Sequence, residues 1–261
     1  MPSHLFDLSG KVALITGSSR GIGLATAQRM AQHGAKVVIC GRKAEACEAA
    51  ADAINADPGS ATGEALPAPC NIGRKEELQT SVDAAMTRWG RIDIVVANAA
   101  IHSWTGSVLD LPDATFGKFM QVNVQSNIWL AQMTMPGMIE RGYGRFISVA
   151  SVVGLFGDAV TGTYGLTKAA DMQLVRNLAM EFAAKGVTAN CIAPGTFKTE
   201  MARSQWEDKT MVEWYRARNP SQRFGEVEEI AGLAVLLASP SGGYINGQTI
   251  VVDGGHTISF R

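Results

Sequence analysis

The sequence predicts an α/β fold, a parallel sheet covered by helices on both faces. Three observations support that expectation. Short β-branched runs alternate with longer helical patterns over the whole chain. The 261 residues suffice for a large buried core, and 46% hydrophobic with 18% charged residues is ordinary globular composition, too apolar for disorder. Glycine alone is over-used, 28 of 261 residues, or about 11% against an average near 7%. Where those glycines fall is therefore informative.

The elements follow in order. Lys11 to Thr16 reads as a strand that runs into Gly17. Ile22 to His33 has helical spacing and stops at Gly34, a C-terminal cap. Lys36 to Cys40 is a second strand, and the Ala/Glu-rich stretch Ala44 to Asn55 a second helix. A third strand is placed at Ala65 to Cys70, within a Gly/Pro-interrupted stretch, and Lys75 to Trp89 is helical. Ile92 to Ala97 is a fourth strand, and one long helix is expected over Ala114 to Ile139. Arg145 to Ala150 is a fifth strand, Thr163 to Ala184 a helix, and Val187 to Ile192 a sixth strand. Glu226 to Ala238 is helical and Thr249 to Val252 is the last strand. No linker or repeat divides the chain, so residues 1–261 read as a single domain. Residues 196–223, with Met201, Trp206, Met211, Trp214 and Tyr215, read as a long aromatic loop and hence a substrate lid; the alternative is a helical excursion with a small core of its own.

Charge and cysteine usage exclude several function classes. Lys plus Arg number 23 and Asp plus Glu 24, a net charge of -1. No basic field exists to hold nucleic acid or an anionic membrane. The cysteines Cys40, Cys47, Cys70 and Cys191 form no Cys-x-x-Cys pair and no zinc spacing, so they read as buried free thiols in a reducing compartment. The histidines (His4, His33, His102, His256) are scattered, and no metal is expected. No apolar run approaches the length of a membrane span, and Met1 to Lys11 lacks an apolar signal core. The expectation is a soluble, cytoplasmic protein.

The first strand–helix junction carries the strongest chemical signal. Gly17-Ser-Ser19-Arg20-Gly21-Ile22-Gly23 lies between a strand and a helix, the context that gives a glycine pattern meaning. Gly17 permits the tight turn, Gly21 lets the backbone approach a pyrophosphate, and Gly23 lets the helix pack closely. The helix N-terminus offers free N–H groups to the phosphates. After the second strand, where an NAD enzyme usually carries a carboxylate for the ribose, this chain has Cys40-Gly-Arg42-Lys43. Arg42, with Arg20 opposite, suits a 2′-phosphate. NADP(H) is therefore favoured over NAD(H); the alternative is that both arginines are solvated surface residues.

A second constellation lies further on. Tyr164-Gly-Leu-Thr-Lys168 places Tyr and Lys at i and i+4, on one helical face. Such a pair is common by chance. With Ser151 thirteen residues before Tyr164 and Asn123 on the long helix, the set becomes specific.

Taken together these segments resemble the short-chain dehydrogenase/reductase family from end to end. The turn Thr16 to Gly23 resembles the family's opening motif. Ala97-Asn98-Ala99-Ala100 stands where family members commonly have Asn-Asn-Ala-Gly, two positions departing. Asn190-Cys-Ile-Ala-Pro194-Gly195-Thr-Phe197-Lys-Thr199 resembles the Pro-Gly segment, and Val252-Asp-Gly-Gly255 the last strand. Carbonyl reductases of the dehydrogenase/reductase member-4 type and 3-oxoacyl-carrier-protein reductases look most similar. The resemblance implies a doubly wound Rossmann fold with a seven-stranded parallel sheet, assembled as a homotetramer through the helices over Ala114 to Ile139 and Thr163 to Ala184. It also implies site residues. Asn71, where the family often has Asp, would contact adenine, Ile72 beside it would line the cofactor site, Asn98 would brace the sheet beside Ala99, and Pro194, Gly195, Phe197 and Thr199 would position the nicotinamide.

The implied chemistry is hydride transfer between the cofactor and a carbonyl or secondary alcohol. Free Tyr has a pKa near 10. The Lys168 ammonium and an oxidised nicotinamide both favour the tyrosinate, so Tyr164 is expected as general acid in reduction and general base in oxidation. Ser151 would donate a hydrogen bond to the substrate oxygen. Lys168 would bind the ribose hydroxyls, and Asn123 would hold a water linking Lys168 to solvent. His102, Trp104, Val153, Phe156, Phe197, Trp206 and Trp214, with Ile101, Val152 and Met201 beside them, form the expected substrate lining, which suits a hydrophobic ketone or alcohol. Two other readings stand beside this one: an NAD-dependent secondary-alcohol dehydrogenase, and a non-catalytic nucleotide sensor on the same fold.

Overall fold

The computed structural model describes residues 4–60 and 63–259. In chain order its main elements are β1 (Val12–Ile15), α1 (Gly21–Gln32), β2 (Lys36–Ile39), α2 (Ala44–Asn55), β3 (Glu64–Pro67), α3 (Lys75–Trp89) and β4 (Ile94–Ala97). There follow α4 (Asp113–Phe119), α5 (Ser126–Glu140), β5 (Gly144–Val149), α6 (Gly162–Phe182) and β6 (Val187–Pro194). The chain closes with α7 (Arg203–Glu207), α8 (Lys209–Arg218), α9 (Val227–Ala238) and β7 (Thr249–Val252). All seven strands form one parallel sheet in the order β3-β2-β1-β4-β5-β6-β7.

Strand alternation divides the core between the two faces. Val12, Leu14, Val95 and Ala97 point to one side, where Leu78 and Val82 of α3, Leu130 and Met135 of α5, and Met172 and Val175 of α6 meet them. Ala13, Ile15, Ile94 and Val96 point to the other, against Ala27 and Met30 of α1, Ala51 and Ile54 of α2, and Ile230 and Ala234 of α9. Burial on both faces explains why these strands are apolar throughout rather than alternating. Each fully buried Val, Leu or Ile contributes roughly 1.5–3 kcal/mol.

Three expectations need correction. β3 starts at Glu64 and ends at Pro67, pairing with β2 through Lys36↔Glu64 to Ile39↔Pro67, not over Ala65 to Cys70. Pro67 and Pro69 lack N–H groups, so beyond the strand only Ala68 N to Ile39 O (2.9 Å) and Cys70 N to Gly41 O (2.8 Å) continue the contact. The long helix over 114–139 is interrupted: a π-helical segment, Met120–Gln125, lies between α4 and α5. The stretch after β6 is more helical than loop. Asp208 accepts from Thr210 N and Met211 N and so starts α8, and Tyr215 stacks on Phe224 at 4.5 Å and on His256 at 5.5 Å. It is the helical excursion with its own small core.

Candidate active site

The sheet order reverses between β1 and β4, so their connections diverge and leave a crevice at the strand ends. Side chains fix the backbone around it. Thr16 Oγ1 accepts from Asn98 N (3.0 Å) and Ala99 N (3.1 Å), and Asn98 Nδ2 donates to Thr16 O (2.8 Å). Ser18 Oγ donates to Ile15 O (2.6 Å) and accepts from Cys40 N (2.9 Å), clamping the turn to the end of β2. Gly17 and Gly21 have φ of +68° and +58°, which Cβ-bearing residues avoid. A Cβ on Gly23 would lie 2.4 Å from Gly17 O. The packing that excludes it is therefore against the turn itself rather than only the sheet.

This cradle fits a dinucleotide. No side chain caps the start of α1, so its first N–H groups, beside Ile22, remain for an anion. Across from Gly21 stands Thr199, whose Cγ2 lies 3.6 Å from where a Gly21 Cβ would be. Ser19 Oγ sits 2.8 Å from the corresponding point on Gly41, a close approach that brings Arg42 beside the turn. Arg20 and Arg42 are exposed, and neither is among the ion pairs of the described residues. Asn71 Oδ1 accepts from Gly73 N at 3.1 Å, its N–H donates to Glu77, and Ile72 is buried behind it. Pro194 ends β6, and Gly195 N donates to Val252 O at 2.9 Å.

The second half of the site is built on α6. Tyr164 and Lys168 lie one turn apart, with Lys168 Nζ 5.6 Å from the Tyr164 ring centroid. Two glycines let the Ser151 turn press against that helix. A Cβ on Gly165 would lie 2.6 Å from Val153 O, and one on Gly154 would lie 2.9 Å from Ala169 N. Ser151 Oγ accepts from Val153 N at 3.4 Å. Neither its hydroxyl proton nor the Tyr164 hydroxyl has a partner among the described residues. Asn123 sits in the π-helical segment, a form common at functional sites. Both N–H donors of its side chain are used: Oδ1 accepts from Ile101 N (2.8 Å), and Nδ2 donates to Ile101 O (3.0 Å) and Thr167 Oγ1 (3.1 Å). Asn123 thus ties the loop after β4 to α6.

Electrostatics at this centre differ from the sequence expectation in one respect. The atoms crowded round the Tyr164 hydroxyl push its pKa upward; Lys168 pulls it down and Asp171 pushes it up, and the net direction is upward. Burial works against the Lys168 ammonium, but Tyr164 and Asp171 overcome it, so its pKa is raised. Lys168 Nζ donates to Val149 O (2.9 Å) and Asp171 Oδ2 (3.1 Å).

The expected substrate lining is only partly gathered. His102 packs on Tyr164 with ring centroids 4.9 Å apart, and its Nε2 is buried without a partner. Burial lowers its pKa, favouring the neutral ring. Trp104 lies over Gly106, its Nε1 also unpartnered. Val153 is half-buried on the Ser151 turn and Phe156 is exposed beyond it. Phe197, however, is buried in the core against Gly225, away from the lining the sequence suggested. Trp206 Nε1 donates to Thr199 O at 2.9 Å, bracing the segment rather than standing free. Trp214 lines a separate small cavity with Thr196, Met211, Tyr215, Phe224 and His256. Sequence reasoning missed Ser18, Thr167, Asn127 and Asp171. The last two had a signal: Asn127 follows Asn123 by four residues, and Asp171, a carboxylate among apolar helical residues, follows Lys168 by three.

Comparison with known proteins defines the class. A family model described as Enoyl-(Acyl carrier protein) reductase matches residues 17–257. Dehydrogenase/reductase SDR family member 4 of Oryctolagus cuniculus is 38% identical over 248 residues, 95% of this chain and 94% of that one. A gluconate 5-dehydrogenase from Burkholderia cenocepacia J2315, in complex with NADP and tartrate, superposes with a TM-score of 0.91 at 33% identity, covering 99% of each chain. A 7α-hydroxysteroid dehydrogenase complexed with NADH and 7-oxo glycochenodeoxycholic acid gives 0.91 at 31% identity, over 98% of this chain and 97% of that one. The chain belongs to the short-chain dehydrogenase/reductase family, NAD(P)-dependent oxidoreductases acting on CH–OH groups. Its doubly wound sheet is the Rossmann fold of that family. Among the described residues no helix is long and apolar enough to cross a membrane.

Proposed function

We propose that this protein is an NADP(H)-dependent carbonyl reductase or alcohol dehydrogenase for a hydrophobic small molecule, with Tyr164 as the general acid/base. The observation that carries the reading is the Tyr164–Lys168 pair on one turn of α6, with an unpartnered Tyr164 hydroxyl and the Ser151 turn pressed against the same helix. The glycine turn and residues 194–199 would hold a nicotinamide cofactor, which would supply hydride in reduction and accept it in oxidation. Ser151 donates to the substrate oxygen as charge builds there. Tyr164 gives its proton to that oxygen in reduction and takes it back in oxidation. Lys168 holds the phenol's charge in check and has one of its three N–H groups left for a ribose hydroxyl. Asn123 keeps the loop carrying His102 against α6.

Support for NADP(H) comes from Arg42 and Arg20, both free of carboxylates beside the turn, and from the NADP in the gluconate 5-dehydrogenase complex. NADH in the hydroxysteroid dehydrogenase complex keeps the alternative cofactor in the test. An apolar substrate fits the His102 and Trp104 rings and the half-buried Val153. Within the helical excursion over residues 196–223, Trp206 braces the Thr199 carbonyl. The four cysteines are free and buried, in keeping with a reducing, cytoplasmic setting, and a homotetramer through α4–α5 and α6 is the assembly proposed.

The decisive variant is Tyr164→Phe. It is expected to lower turnover of ketones and alcohols by about 10²–10⁴-fold while leaving cofactor binding, followed by nicotinamide fluorescence, unchanged. Wild-type turnover in this variant would overturn the mechanism.

A further inference from the structure

Below the Tyr164–Lys168 pair lies a second layer of polar groups that the reaction does not itself require. Asp171 is completely buried, and Asn127 and Lys168 are each 2% exposed. Asp171 Oδ2 takes a hydrogen bond from Lys168 Nζ at 3.1 Å, and Asp171 Oδ1 takes one from Asn127 Nδ2 at 2.8 Å. Asn127 Nδ2 also donates to Asn123 O at 2.9 Å. Tyr164, Lys168 and Asp171 stand at i, i+4 and i+7 on α6, and Asn123 and Asn127 at i and i+4 across the π-helical segment and α5. The two helices therefore meet through two stacked polar rungs, Asn123–Thr167 above and Asn127–Asp171 below.

Resting on the reading of Tyr164 as the general acid/base, we propose that Asp171, held by Asn127, is a positioning residue: it fixes the Lys168 ammonium beneath Tyr164 and attenuates its field on the phenol. A buried ammonium is costly to hold without groups that pair with it. The carboxylate and the Val149 carbonyl together take two of its N–H groups, which fixes the direction of the third. The same carboxylate turns a lone positive charge near Tyr164 into a positive–negative pair, whose field falls off faster. Lys168 then lowers the phenol's pKa less than an isolated ammonium would.

The surroundings leave few other groups to do this. From β6, the titratable group facing the pair is Cys191, whose thiol burial pushes up to about 12, so it stays neutral. From α5 and the π-helical segment the facing groups are Asn127 and Asn123, and from β5 the Val149 carbonyl and the Ser148 hydroxyl, none of them charged. Burial pushes the Asp171 carboxyl upward, and Lys168 and Asn127 draw it back. The net direction is upward, and Asn127 is one of the two residues that favour the ionised carboxylate.

The test compares wild type with Asp171→Asn, which keeps shape and removes charge, and with Asn127→Leu, which keeps the charge and removes its support. Tyrosinate absorbance of the cofactor-free protein, with Tyr164→Phe as the blank, reports the phenol directly. The pH profile of alcohol oxidation reports it in turnover. Asp171→Asn is expected to move both midpoints to lower pH by about half a unit to one unit, three- to tenfold more tyrosinate at a given pH. Asn127→Leu is expected to move them the same way by less. Unmoved or upward-shifted midpoints would overturn the proposal. So would loss of cooperative melting in both variants, which would make the pair a folding element only. If Tyr164→Phe keeps turnover, the functional reading fails by itself, while the absorbance titration still decides the role of Asp171.

Discussion

Tyr164 stands between two opposed effects, and their balance sets the direction in which pH acts. Crowding disfavours the phenolate and Lys168 favours it, with the net pKa above the ordinary value near 10 in the cofactor-free protein. Reduction uses the protonated phenol, which is then fully present at neutral pH. Oxidation uses the phenolate, so its rate is expected to climb as pH rises toward the phenol's pKa, while reduction stays level and then declines. Removing the ammonium sharpens the contrast. Lys168→Met fills similar space without charge, pushes the phenol higher still, and is expected to lower oxidation at neutral pH about tenfold for each unit by which the phenol's pKa rises. Paired pH profiles of the two directions check this. A Lys168→Met oxidation profile superimposed on that of wild type would remove Lys168 from the account.

The close approach of elements, more than any single side chain, makes the site. The Ser151 turn can touch α6 only because residues 154 and 165 lack side chains. Gly165→Ala is a useful probe because two effects compete. Helix propensity favours alanine by roughly 1 kcal/mol, whereas a methyl 2.6 Å from Val153 O cannot be accommodated without moving the turn. Overpacking of that kind costs about 1–3 kcal/mol, so the clash wins. The variant is expected to melt at lower temperature and to lose turnover at least tenfold while still binding cofactor; thermal melting, turnover and fluorescence titration measure the three. Higher stability with full activity would mean that the turn yields freely. The same elements show what a sequence can reveal. The bounds of α2, α3 and β7 coincide with the expected ones because periodicity and caps are local. The break at Met120–Gln125 left no Pro or Gly to mark it. Helix α8 depends on the Asp208 cap inside a stretch dominated by aromatics that pack on distant Phe224 and His256. Tyr164, Lys168, Ser151 and the glycine turn were legible as motifs. For Asp171 and Asn127 only the helical spacing from Lys168 and Asn123 was legible, because their meeting depends on two helices folding side by side.

At the scale of the whole molecule, the crossover between β1 and β4 turns four strand ends into one continuous edge. Arg20 and Arg42 reach one end of it through the pairing of β1 with β2, while Lys168 and Thr199 reach the other through β5 and β6. A dinucleotide bridging these ends binds only the folded chain, so it must raise the melting temperature in proportion to RT ln(1 + [L]/Kd), about 2.7 kcal/mol at a hundredfold excess over Kd. The size of that rise separates the two cofactors. A 2′-phosphate can meet the Arg42 guanidinium in a two-pronged contact that a 2′-hydroxyl cannot make. NADPH is therefore expected to shift the melting temperature further than NADH at equal concentration. Arg42→Ala should narrow the gap by weakening NADPH roughly tenfold or more, an amount typical of a charge-assisted hydrogen bond, with NADH almost unaffected. Equal shifts in wild type, or an NADH response that falls with Arg42→Ala as far as the NADPH response, would show that Arg42 only carries charge into solvent and that both cofactors are read by the glycine turn alone.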